Sequence, residues 1–251
     1  MRRFEGRTVM ITGAARGLGR EYASYFADDG ANVVATDLDA AGAEETAAAI
    51  RKDGGVAIGL GLDVTDWERA VAVVAAARDE FGSLDILVNN AGIWGDYSMQ
   101  GALGQDLDNW RTALDVMLTG PFVCMKAAIP VMRERRWGRV VNISSIGAYL
   151  PGSGAYGVAK LGLNQLTYQV AAEVGADGIT VNSVAPGTID NEATRRQVPQ
   201  AALDMLVQQT AVKRPGTGRD LYGAISWLCS DDAAWVTGQV ISPNGGAVAR
   251  F

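Results

Sequence analysis

Tyr156 and Lys160 lie four residues apart, so a helix through them sets both side chains on one face with Cβ atoms about 5–6 Å apart. A free phenol has a pKa of about 10 and is a weak base at neutral pH. A neighbouring ammonium favours the phenolate and lowers that value, which makes such a pair a proton acceptor. The chain holds no histidine. Ser-His-Asp chemistry and histidine-ligated metal therefore drop out together, and acid–base work falls to Tyr, Lys, Asp, Glu or water. Tyr-x-x-x-Lys also arises by chance on many helices. Here, however, Asn142-Ile143-Ser144-Ser145 precedes it, and Asn182 and Pro186-Gly187 follow.

A second constellation suits phosphate. Thr12-Gly13-Ala14-Ala15-Arg16-Gly17-Leu18-Gly19 follows a strand-like run and opens into a helix-like one. In that setting Gly13 allows a tight turn, Gly17 lets the backbone approach a pyrophosphate, and Gly19 lets helix and sheet pack closely. The unpaired N–H groups at the helix start add donors and partial positive charge. A plain turn would use glycine too, but the strand before and the helix after favour a dinucleotide. Asp37 ends the next strand, 24 positions beyond Gly13, near the roughly 20 at which such folds set a carboxylate on the adenosine ribose. That carboxylate accepts from both ribose hydroxyls and repels a 2′-phosphate, favouring NAD over NADP. Arg16 pulls the other way, as a cation able to meet a 2′-phosphate; the fixed carboxylate outweighs a mobile surface arginine.

Short β-rich runs alternate with amphipathic or Ala-rich segments along the chain. The strand candidates are Thr8–Thr12, Asn32–Asp37, Ala57–Leu62, Leu84–Asn89, Arg139–Ile143, Thr180–Ala185 and Gln239–Ser242, and helix candidates include Leu18–Asp28, Ala40–Lys52, Asp66–Phe81 and Leu107–Arg135. The strands read as nearly continuous apolar runs, the pattern of a parallel sheet covered on both faces. Strict β-α alternation predicts one α/β unit over residues 1–251, a doubly wound, Rossmann-like parallel sheet of about seven strands with helices on both faces. The least regular stretch, 188–217, holds a candidate helix over Gln200–Thr210 and is expected to form a lid over the site.

The net charge of −6 argues against nucleic acid and anionic membranes as partners. Cys124 and Cys229 form no CxxC pair and read as core thiols, so no metal is expected. No run reaches the roughly 18 uninterrupted apolar residues of a membrane helix. The N-terminal residues resemble no signal peptide, and a cytoplasmic protein is expected.

Taken together, Thr12-Gly13-x-x-x-Gly17-x-Gly19, Asp63-Val64, Asn89-Asn90-Ala91-Gly92, Ser145, Tyr156-Gly157-Val158-Ala159-Lys160, Asn182 and Pro186-Gly187 resemble the short-chain dehydrogenase/reductase family over essentially the whole chain. The resemblance implies that Asp63 and Val64 hold the adenine and that Asn90, Ala91 and Gly92 pass beneath the ribose. It further implies that Pro186, Gly187 and Ile189 meet the nicotinamide, and that Lys160 also binds its ribose. Ser145 is the hydroxyl the family would use on the substrate oxygen; Ser144 stays open, because the stretch to Tyr156 is slightly shorter than usual. An Asn common in the family is Met117 here, which implies a slower or altered proton relay, although the relay's main-chain carbonyl is retained. Asn191 and Asn244 are smaller departures. Trp94, Tyr149 and Leu150 should border an apolar substrate pocket, with Tyr97, Met99 and Pro151 nearby. The expected activity is NAD-dependent interconversion of a hydrophobic or cyclic secondary alcohol and its ketone. The alternatives are a carbonyl or 3-oxoacyl reductase using NADP and a cofactor-binding protein of weak turnover. The family also implies a homotetramer, built through the Leu107–Arg135 and Ala155–Val174 helices and the C-terminal strand.

Overall fold

The computed structural model describes residues 2–93 and 101–247. Among the described residues, seven strands form one sheet: β1 Thr8–Thr12, β2 Asn32–Asp37, β3 Val56–Gly61, β4 Ile86–Asn89, β5 Gly138–Ile143, β6 Ile179–Val184 and β7 Val240–Ile241. Their order is β3-β2-β1-β4-β5-β6-β7, and every pairing is parallel. The order turns back between β1 and β4, the switch point at which such sheets open a crevice at their C-terminal strand ends.

The continuous apolar strands follow from two-sided burial. Val9 and Ile11 of β1, Val33 and Ala35 of β2, and Ile86 and Val88 of β4 enter one core. Met10, Val34 and Leu87 enter the other. The first core is closed by α1 (Gly17–Asp28), α2 (Ala40–Lys52) and α9 (Gly218–Leu228), the second by α3 (Trp67–Phe81), α5 (Gly120–Arg135) and α6 (Gly154–Val174). The strands expected at Thr8–Thr12 and Asn32–Asp37 have those bounds. The last strand is shorter than Gln239–Ser242, because only Ser183 and Val184 of β6 pair with it.

The long helix expected over Leu107–Arg135 is interrupted. α4 ends at Leu114, a π turn spans Asp115–Thr119, and α5 begins at Gly120. Pro121 accounts for the break: it has no N–H to give the carbonyl four residues back, that of Met117, and its ring crowds that carbonyl. By length and composition this stretch is apolar enough to cross a membrane. Half of its most apolar window is buried, and Cys124, Met125, Ala128 and Met132 belong to the core.

The segment expected as a lid carries α7 (Glu192–Gln197) and α8 (Gln200–Gln209). Its stem is pinned where Ile189 pairs with Gly216, with Gly216 N donating to Thr188 O at 3.0 Å and Asp190 N to Gly216 O at 2.8 Å.

Candidate active site

A crevice of about 740 Å³ lies across the switch point, lined by Gly13, Arg16, Gly17, Leu18, Gly19, Asp37, Asp63, Val64, Asn90, Ala91 and Gly92. Gly13 and Gly17 take left-handed backbone, with φ of +69° and +55°. A Cβ on Gly17 would have nothing within 4 Å, so the loop presents bare backbone to the crevice. Gly19 is needed for the opposite reason: its Cβ would collide with Gly13 O and stand 2.7 Å from Asn90 Nδ2. Asn90 itself braces the loop, donating through Nδ2 to Thr12 O at 3.0 Å and Gly13 O at 3.2 Å. Asp37 is held from both sides, Oδ2 accepting from Ala15 N at 2.9 Å and Oδ1 from Asp39 N at 3.0 Å. Asp63 accepts from Thr65 N at 2.9 Å and Thr65 Oγ1 at 2.7 Å, while Val64 is buried against Gly120. Open backbone at Gly17, a helix start behind it and a fixed carboxylate at Asp37 fit a dinucleotide.

A second crevice of about 360 Å³ opens beside the first and is lined by Ser145, Tyr156, Lys160, Pro186, Gly187 and Ile189. Both candidate serines, Ser144 and Ser145, line this crevice, and they differ in their partners. Ser144 is buried and donates to Lys160 O at 3.3 Å. Ser145 Oγ accepts from Gly147 N at 3.0 Å, in the first turn of a 3-10 segment (Ile146–Tyr149), and is hydrogen-bonded to the Tyr156 hydroxyl. Gly147 makes room for the phenol, since a Cβ there would stand 3.1 Å from Tyr156 Cε1.

One expectation is corrected. The chain's own surroundings raise the Tyr156 pKa, because burial outweighs the hydrogen bond from Ser145. Lys160 does not offset this. Its Nζ donates to Ile143 O at 2.7 Å and lies 5.9 Å from the centre of the Tyr156 ring, and burial pushes its own pKa down to about 8. The expected lowering of the phenol then needs the positive charge of an oxidised cofactor beside that of Lys160.

Met117 is fully buried in a small cluster with Ala113, Ala155 and Ala159, against Tyr156, and it lines the second crevice. Pro121 cannot donate to its carbonyl, so the main-chain acceptor expected of a relay is kept clear of the ordinary helical bond. Leu150 lines the second crevice, but Tyr149 does not. Its hydroxyl is drawn to α6, where it accepts from Asn164 Nδ2 at 2.9 Å. Trp94, with Tyr97 and Met99, lies outside the described residues. Asn89 donates to Asn142 Oδ1 at 2.8 Å and ties β4 to β5, and Asn182 bonds Val236 O and Gln239 N beside β7. Among the described residues, no group of acidic, Cys or His side chains could hold a metal. Sequence reasoning missed Glu192 and Arg196, which line the dinucleotide crevice from α7, and Val198 and Leu206, which line the second. The i,i+4 spacing of Glu192 and Arg196 was the signal available.

Comparison with known proteins agrees with this geometry. A family model described as enoyl-(acyl carrier protein) reductase matches residues 13–248. An uncharacterized oxidoreductase of Mycobacterium tuberculosis is 42% identical over 98% of this chain and 99% of its own. Trans-4-hydroxycyclohexanecarboxylate dehydrogenase of Sinomonas cyclohexanicum is 38% identical over 97% and 93%. A 3-oxoacyl-(acyl-carrier-protein) reductase of Pseudomonas aeruginosa is 36% identical over 96% and 97%. The crystal structure of a putative short-chain alcohol dehydrogenase from Sinorhizobium meliloti superposes with a TM-score of 0.90, at 35% identity and 98% coverage of both chains. With its sheet order, glycine loop and Ser145–Tyr156–Lys160 grouping, the chain belongs to the short-chain dehydrogenase/reductase family of oxidoreductases.

Proposed function

We propose that this chain is an NAD-dependent dehydrogenase that interconverts a hydrophobic or cyclic secondary alcohol and its ketone. The carrying observation is Asp37, a carboxylate held at the crevice by two backbone N–H groups. Its free lone pairs suit two ribose hydroxyls, and its charge opposes a 2′-phosphate. NAD bound there supplies the hydride acceptor for the carbinol carbon. Ser145 orients the substrate oxygen, and Tyr156 takes the hydroxyl proton as the C–H bond breaks. Lys160 holds the nicotinamide ribose and, when charged, favours the phenolate.

The second crevice supports the substrate class. Ile93, Met117, Ile146, Leu150, Val198 and Leu206 give it apolar walls, and Lys160 is the one charged side chain among its described lining residues. A relative that carries the name of an alicyclic alcohol dehydrogenase points the same way. A 3-oxoacyl reductase is the second reading, favoured by the relative of that name and by the family description.

Steady-state assays decide between them. The proposal expects higher kcat/KM with NAD than with NADP, and turnover of alicyclic or aromatic secondary alcohols. A preference for NADP with faster reduction of 3-oxoacyl thioesters would replace it with the second reading. Tyr156→Phe should lower kcat by a factor on the order of a thousand with NAD affinity unchanged. NAD binding without turnover across the panel would instead mark a cofactor-binding protein. We also propose a homotetramer. Phe122 on α5 and Val158 and Leu161 on α6 are each nearly half exposed, an apolar surface that suits helix packing between subunits. Sedimentation of a monomer would reject it.

A further inference from the structure

The described residues lining the dinucleotide crevice bring two cations to it, Arg16 and Arg196, against Asp37, Asp39, Asp63 and Glu192. Arg196 stands on α7, one turn after Glu192, and its Nη2 lies 2.6 Å from Glu192 Oε1. Both side chains are mostly exposed, at 70% and 58%, and such a pair holds its partners weakly in water. The neighbouring Arg195 is committed elsewhere, giving Nε and Nη2 to the two oxygens of Asp190 at 2.7 and 2.9 Å. Arg196 therefore faces the crevice with most of its five N–H donors unspent.

Its place along the crevice is set by α7. Asn191 caps that helix, accepting from Thr194 N at 2.8 Å, and it lines both crevices. The helix thus stands where they meet, between the ribose carboxylate Asp37 and the reacting Tyr156. In a bound dinucleotide the pyrophosphate occupies that middle position. The glycine loop offers it N–H groups and one cation, Arg16, and a second guanidinium brought from α7 adds paired donors that match phosphate oxygens.

We propose that Arg196 is a lid-borne ligand of the cofactor's pyrophosphate, held by Glu192 until the cofactor enters. This rests on the NAD reading above. The same helix carries Thr194 and is followed by Val198, and both line the second crevice.

Isothermal titration of the purified protein with NAD, NADP, ADP-ribose and adenosine tests this without turnover. Arg196→Gln should weaken NAD and ADP-ribose about tenfold, or about 1.4 kcal/mol, and leave adenosine unchanged. Arg196→Lys should recover most of the loss, and Glu192→Gln should bind NAD at least as tightly as the wild type. Four results would overturn the assignment: NAD affinity of Arg196→Gln within about twofold of wild type; an equal loss for adenosine, which marks a disordered lid; a loss confined to NADP, which marks a 2′-phosphate contact; or an equal loss in Glu192→Gln, which makes the pair a helix brace. A wild-type protein that binds no dinucleotide would reject the NAD reading itself, and Arg196 with it.

Discussion

In the proposed reaction Tyr156 must release a proton at a site that resists its ionisation, and Lys160 shares the difficulty. Lys160 is 5% exposed, and its pKa falls from 10.5 to about 8 because burial disfavours the ammonium. A depressed folded value has a definite sign. Below pH 8 both folded and unfolded chains hold the proton, and folding bears the full cost of burying it. Between about 8 and 10.5 the unfolded chain binds more of the proton, so this lysine's contribution to stability rises with pH. The Tyr156 shift is upward from 10.0 and acts in the opposite sense, but only above that pH. The thermal midpoint of the wild type, taken relative to Lys160→Met, should therefore climb from about pH 7.5 to about 9.5. A pH-independent difference would mean that Lys160 is buried without desolvation of its charge.

The π turn is the element that the sequence concealed. Periodicity gave Leu107–Arg135 as one helix, because a π turn adds a residue without disturbing the apolar composition. Pro121 was the visible sign, but proline is tolerated in a first helical turn, and here α5 starts at Gly120. Elsewhere the elements were legible. β1 and β2 carry their full apolar runs because both faces are buried, and the glycine loop, Asp37, Ser145, Tyr156 and Lys160 meet at the crevices that their spacing implied. Tyr149 was misplaced because nothing local announces that its hydroxyl serves Asn164, and α7 was missed because six residues are too few to show a helical stripe. The π turn sets Met117 against Tyr156, and Pro121→Ala tests that. The new N–H can reach the Met117 carbonyl and the ring clash disappears, so the turn should relax toward α-helix. Alcohol oxidation should fall about tenfold or more through misplacement behind the phenol, with the melting temperature unchanged or raised. Wild-type kcat/KM in that variant would show that the turn is incidental to the chemistry.

Across the whole molecule, the two ends of the sheet do different work. The C-terminal strand ends carry the crevices. At the N-terminal ends, the fully buried carboxylate of Asp85 accepts from Thr8 N at 2.9 Å and Ser83 Oγ at 2.6 Å, and it pairs with Arg7 and Arg135, each at 3.4 Å. Trp137 packs under this cluster, with the Arg7 guanidinium 3.6 Å from its ring centre and that of Arg139 at 4.3 Å. Asp85→Ala would strand the Thr8 N–H inside the protein, while Arg7 and Arg135, partly exposed already, can turn to water. The cost is therefore that of a lost buried acceptor rather than of two buried cations, about 2–4 kcal/mol. A domain with about 5–15 kcal/mol to lose stays folded at that cost. From Thr8 to Thr12 the chain of β1 runs about 13 Å, and the glycine loop begins just beyond it. Chemical denaturation should thus show the full loss of stability, while NAD affinity below the transition stays at the wild-type value. A parallel loss of NAD binding would mean that the two ends are coupled through β1, and that the sheet transmits strain to the site it carries.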